Sequence, residues 1–161
     1  MIRYKNSTLE QYLEQLAARE PVPGGGSAAA LCGALGAGLL EMVTRYSLGK
    51  GKPPEVEREL ALLLEKAGQG RLRLLELVSH DSEAYLAMRE AKKVGEAAYR
   101  QATERAVGVP VEIVRLCREM VQLAPYLHRE GNPHLLSDVV AAEKFLEAGA
   151  AAAGAMIEAN Q

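Results

Sequence analysis

Twenty consecutive residues, Pro21 to Leu40, carry no charged side chain. The stretch opens PVPGGG, in which two prolines stop a preceding helix and three glycines turn the chain. Ser27 is then the expected N-cap of a helix reaching roughly Ser47. About fourteen helix-compatible residues precede Glu41, fewer than the roughly twenty that span a bilayer, so the segment reads as a buried core helix and no membrane is expected. One of its faces carries Ser27, Ala30, Ala34 and Ala37, and another carries Leu31, Leu35, Leu39 and Met42. A face of small residues lets a second backbone approach closely. The rest of the chain must therefore wrap this helix, and it must do so with partners that fit against it.

Those partners read as helices. Of 161 residues, 26 are alanine, one is phenylalanine and none is tryptophan, a composition that favours helix over sheet. Ser7 and Glu10 fit a capping box before Leu9, Leu13 and Leu16, which predicts a short helix from Thr8 to Ala18. Gly49 to Pro54 is a loop. A long apolar periodicity follows from Glu55 to Glu90, weakened but not ended by Gly68 and Gly70. Gly95 to Val107 continues it or restarts a helix. Pro110 suits the first turn of the next, and Pro125 kinks or ends that one. Asn132-Pro133 starts the last helix. There Leu135, Val139, Ala142, Leu146, Gly149, Ala153 and Met156 alternate at spacings of four and three, a seam for closely packed antiparallel helices or for a helix-mediated dimer. The expectation is a single all-α domain over residues 1–161, a bundle of about five to six helices with one long central helix.

Charge and cysteines narrow the function. Nineteen basic against 21 acidic residues leave a net charge of −2, which gives no electrostatic reason to expect nucleic acid. Cys32 and Cys117 lie far apart in no metal-binding spacing, so neither a disulfide scaffold nor a metal site is expected, and a reducing cytoplasm suits them. The first residues lack the apolar core of an export signal.

Three features could carry chemistry. Gly24-Gly25-Gly26-Ser27 opens a helix and offers free N–H groups at its positive end, yet it lacks the Lys-Ser/Thr ending of a phosphate loop; it is an anion site or simply a turn. Asp81 has Leu77, Val78, Ala84 and Tyr85 at helical spacing, and Asp138 has Leu135, Ala141 and Ala142. Carboxylates on apolar faces are either paired structurally or held for acid–base work. Lys50 and Lys52 give the loop between the second and third helices local positive charge. His80, His128 and His134 fit solvated surface positions.

The run PVPGGGSAAALCGALGAGLLEMV resembles the Pro-Gly-Gly-Gly-Ser signature of the cyclodeaminase domain of the formiminotransferase-cyclodeaminase family. Ser47-Leu48-Gly49-Lys50, Asp81-Ser82-Glu83-Ala84-Tyr85, and Gly131-Asn132 followed by Ser137-Asp138 resemble further elements of that family, in the same order. The resemblance implies an all-helical homodimer acting on tetrahydrofolate one-carbon adducts, with no metal or redox cofactor. It implies Asp81 and Asp138 as catalytic residues, and Gly24, Gly25, Gly26, Ser27, Lys50, Asn132 and Ser137 as the residues that hold the folate. The chain departs from the family near its end. Ala155-Met156-Ile157-Glu158-Ala159-Asn160 stands where the family tends to show Leu-Asn-Val-Arg-Ile-Asn, so an amide has become Met156 and a cation Glu158. The rival expectation is accordingly a non-catalytic helical dimer of the same family that binds folate or a protein partner.

Overall fold

A computed structural model describes residues 3–159; Asn160 of the C-terminal motif lies outside them. Among the described residues there are six α-helices and no strand. They are α1 (Leu9–Ala17), α2 (Gly25–Ser47), α3 (Pro54–Val94), α4 (Glu96–Val121), α5 (Ala124–Glu130) and α6 (Leu136–Ala159). The all-α expectation holds, with α2 as the axis: its main neighbours are α3 on one side and α6 on the other, and α4 packs against both of those.

The seam read from the last helix is the contact between α6 and α2. Val139, Ala142, Leu146, Gly149 and Ala153 are all buried, and the α2 residues that Ala142, Leu146 and Gly149 meet are Ala29, Gly33 and Gly36. Ala30, Ala34 and Ala37, also buried, share the side of α2 on which Ser27 and Glu41 contact α3. The approach is close enough that a Cβ on Gly36 would lie 2.8 Å from the Ala142 carbonyl oxygen, and one on Gly149 would lie 3.0 Å from that of Ala29. The two helices run antiparallel, since Gly25 meets Met156 while Gly36 meets Ala142. The small-residue surfaces that pointed to a dimer are thus consumed inside one chain. Any second copy must use a different face.

α2 has 23 residues: it starts at Gly25, two residues before Ser27, and ends at Ser47 as expected. By length and composition it could cross a bilayer, and 61% of its most apolar window is buried within the bundle. Within it the Glu41 carboxylate is held at 2.6 Å by Arg71 of α3 and at 2.6 Å by Arg45 one turn on. Desolvation pushes the Glu41 carboxyl up, but its two arginine partners outweigh that and hold it below the usual carboxylate range.

Several boundaries differ from expectation for local reasons. The capping box of α1 is Thr8 with Gln11, not Ser7 with Glu10: Gln11 N–H donates to Thr8 Oγ1 at 3.1 Å and Thr8 N–H to Gln11 Oε1 at 3.0 Å. Both tetrads fit the same pattern, and Ser7 is used to close a 3-10 turn at Tyr4–Asn6. Pro110 lies inside α4 rather than at a helix start. A proline there forfeits one backbone bond, to the carbonyl four residues back, and the helix continues because α3 and α6 support it along its length. Pro125 falls in the first turn of α5 instead of ending a helix. The chain restarts after α3 at Gly95, whose φ of 148° is open to glycine.

Candidate active site

The first turn of α2 has no side-chain cap of its own. Gly24 is the N-cap and contributes no side-chain hydrogen bond, so Ser27 sits in the third helical position and is not the cap the sequence suggested. Its hydroxyl turns inward and donates to the Val78 carbonyl of α3 at 2.7 Å. The anionic partner that a helix start favours comes from α3: the Asp81 carboxylate stands over the first turn at Gly26, where the Ser27 backbone N–H favours its charged form. Gly26 makes this possible. A Cβ there would lie 2.6 Å from Asp81 Cγ and 2.9 Å from Oδ2, so only glycine lets the carboxylate come down onto the turn.

Two effects compete at Asp81. Burial pushes its carboxyl above the usual range, and the Ser27 N–H partly offsets this by favouring the anion. The result is a carboxyl group that holds its proton more tightly than a solvated aspartate does.

Asp81 faces a cleft of about 180 Å³. Gly24, Gly25 and Gly26 form one wall, and Pro21 and Val22 lead into it. α3 and α4, which extend beyond the start of α2, supply Tyr85, Met88, Ala106 and Pro110; α6 supplies Met156. The Met156 thioether stands against Gly25, where an added Cβ would lie 3.1 Å from Sδ. Asp81 is thus a carboxyl group set in a largely apolar cleft. Such a cleft suits a flat cationic centre: the carboxylate meets the charge while the walls exclude water. Two larger open grooves, about 630 Å³ between α4 and α6 and about 650 Å³ between α3 and α4, contain no buried carboxyl.

The remaining residues singled out in the sequence gather elsewhere. Asn132 N–H donates to Ser47 Oγ at 2.8 Å, which places Asn132 at the far end of α2. Its own Oδ1 accepts from His134 N–H at 3.0 Å, so it caps the turn that enters α6. Ser137 and Asp138 follow in the first turn of α6, and Lys50 lies just past the end of α2. With a rise of about 1.5 Å per residue, the two ends of α2 are roughly 30 Å apart. A single chain therefore does not bring Asp81 and Asp138 together. Sequence reasoning does not single out Tyr12, Tyr85, Met88 or Pro110 as site residues. Met88 and Tyr85 repeat on the Asp81 face at helical spacing and could have been found, whereas Tyr12 reaches the site through a contact that no local pattern encodes.

The Gly26 geometry carries a prediction. Gly26→Ala should displace the Asp81 carboxylate, which can swing aside, and so cost turnover about 10-fold or more while melting changes little. Steady-state rates and a melting curve on the same sample check this; a variant that keeps wild-type turnover would contradict the placement of Asp81.

The fold and cleft together define a helical-bundle protein with a half-buried carboxyl at a helix start. The formiminotransferase-cyclodeaminase family model matches residues 8–161, and the chain belongs to that family. It is 36% identical over 165 residues to a methenyltetrahydrofolate cyclohydrolase of Methylorubrum extorquens, covering 96% of this chain and 79% of that one. It is 29% identical over 154 residues to the formimidoyltransferase-cyclodeaminase of Mus musculus, covering 89% of this chain but only 28% of that protein. The crystal structure of formiminotetrahydrofolate cyclodeaminase from Thermotoga maritima superposes with a TM-score of 0.92 at 28% identity, over 97% of this chain and 79% of that one.

Proposed function

We propose that this protein interconverts one-carbon adducts of tetrahydrofolate, with Asp81 as the acid–base group. The observation that carries this reading is the Asp81 carboxyl, half-buried in a largely apolar cleft and set against the first turn of α2. In hydrolysis of the 5,10-methenyl form, the carboxylate takes a proton from water as the oxygen adds to the cationic carbon, then returns it to the nitrogen that leaves as the ring opens. The remaining hydroxyl proton passes to solvent as the formyl C=O forms. In cyclodeamination, N10 attacks the formimino carbon, gives up its proton, and ammonia departs carrying one. Both sets of bond changes balance with water and proton transfers alone. The names of the relatives above support this chemistry. Near-ultraviolet absorbance tests it: methenyltetrahydrofolate should lose its absorbance faster with protein than in buffer, or the formimino adduct should gain it with release of ammonia. Binding of either adduct without turnover would instead favour the non-catalytic reading.

The 180 Å³ cleft is smaller than the roughly 300–1,000 Å³ that encloses a ligand of folate size. We propose that a second copy completes the site. The outward stripe of α2 carries Leu31, Leu35, Leu39 and Met42, with Leu35 51% exposed, and the Cys32 thiol donates to the carbonyl of Phe145 on the neighbouring face of α6. A two-fold axis through this stripe would pair α2 helices antiparallel. Lys50, Asn132, Ser137 and Asp138 of one copy would then stand near Asp81 of the other. Leu35→Glu should convert a dimer to a monomer in light scattering and lower turnover with it. A wild-type monomer across micromolar concentrations would overturn the dimer.

A further inference from the structure

We propose that Tyr12 is a positioning residue for Asp81, acting through Ser27: its hydroxyl fixes the first turn of α2 so that the Ser27 N–H stays on the carboxylate. This rests on the catalytic reading of Asp81 given above.

The hydrogen bonds fix the direction of the chain. Ser27 Oγ has one proton and gives it to the Val78 carbonyl at 2.7 Å. In the 3.0 Å contact between Ser27 Oγ and Tyr12 Oη, the tyrosine must therefore be the donor. Ser27 is fully buried and Tyr12 is 4% exposed, so water does not substitute for either bond. The same residue whose hydroxyl is pinned between α1 and α3 presents its backbone N–H to Asp81.

Tyr12 is also what fastens α1 to the bundle. It is the buried residue of that helix, while Leu9 is 74% and Leu13 57% exposed. Its ring packs edge-on against Tyr4 at 5.4 Å, and the Tyr4 N–H donates to Ser79 Oγ of α3 at 3.0 Å. Burial raises the Tyr12 phenol above its ordinary value, so it remains a donor across the neutral range. Among the described residues, the titratable groups around Asp81 are Tyr12, with Tyr4 behind it, and Tyr85 of α3; α4 and α6 face it with Ala106, Pro110 and Met156.

Tyr12→Phe removes the hydroxyl and keeps the ring. Turnover number should fall about 10-fold with KM changed less than about twofold, because a mispositioned acid–base group acts on the transition state more than on binding. In ligand-free protein, the Asp81 carboxyl followed by carbon NMR should titrate about 0.5–1 pH unit higher, as a carboxylate does when a hydrogen bond to its anion weakens. The acid limb of the rate profile should move up with it. Ser27→Ala should reproduce these changes, and the double variant should go no further than the larger single one. A folded Tyr12→Phe protein with unchanged Asp81 titration and unchanged turnover overturns the proposal. If that variant does not fold, an unshifted Asp81 titration in Ser27→Ala overturns it equally. Should the wild type turn over no folate adduct, the catalytic reading falls, while the titration still decides whether Tyr12 positions Asp81.

Discussion

Asp81→Asn is expected to lower turnover by about 10²–10⁴-fold, the usual worth of a general acid–base group. Folate affinity should change far less, because a group that acts mainly in the transition state contributes little to ground-state binding. Stability separates this from a structural role. Had Asp81 been paired with a buried arginine, its loss would cost about 3–5 kcal/mol. What holds it is the Ser27 N–H, which an asparagine oxygen can also accept. Burial raises its folded-state carboxyl above the unfolded value, so the native state binds this proton more tightly than the unfolded chain does. Its contribution to stability is therefore full in acid and is lost as pH rises from the ordinary carboxyl range through the raised value. The asparagine variant should melt at or above the wild-type temperature at neutral pH, with the difference closing in acid. A sharp fall in melting temperature with turnover per folded molecule intact would reject the catalytic role.

The largest expected effect on stability lies at Gly36. A Cβ there would meet Leu146 Cγ at 2.7 Å and the Ala142 carbonyl oxygen at 2.8 Å, and the second of these atoms is backbone that cannot swing away. Gly36→Val must push α6 off α2, at a cost of about 3 kcal/mol or more. For a domain of this size that lowers the melting temperature by roughly 6–12 °C. Gly38→Ala is the matched control. Its Cβ would make an ordinary 3.4 Å contact with Arg71 Cδ, so helix propensity should leave it neutral or slightly stabilising. Thermal unfolding of the two variants side by side checks this, and equal melting temperatures would contradict the close α2–α6 contact.

That contact is legible in residue spacing alone. The four-three spacing from Leu135 to Met156 is a periodic signal, and periodicity survives in a bare sequence. The pattern does not say whether its partner lies in the same chain or in a second copy, because the spacing is identical for both. Asp81 is legible for the same reason, as a carboxylate among Leu77, Val78 and Tyr85. Its capping of α2 is not, since that needs α3 folded back across the start of α2. Ser27 shows the limit. A serine after three glycines is a good N-cap by local rules, yet Asp81 supplies the anion from outside and the hydroxyl is used between Tyr12 and Val78. Pro110 defeats the same rules because they treat an interior proline as a break, and here tertiary packing carries the helix through it.

The measurement closest to the central claim follows the near-ultraviolet absorbance of methenyltetrahydrofolate with wild type and Asp81→Asn at equal concentrations of folded protein. The account predicts loss of absorbance well above the buffer rate with wild type and near the buffer rate with the variant. Equal rates for the two proteins would contradict it.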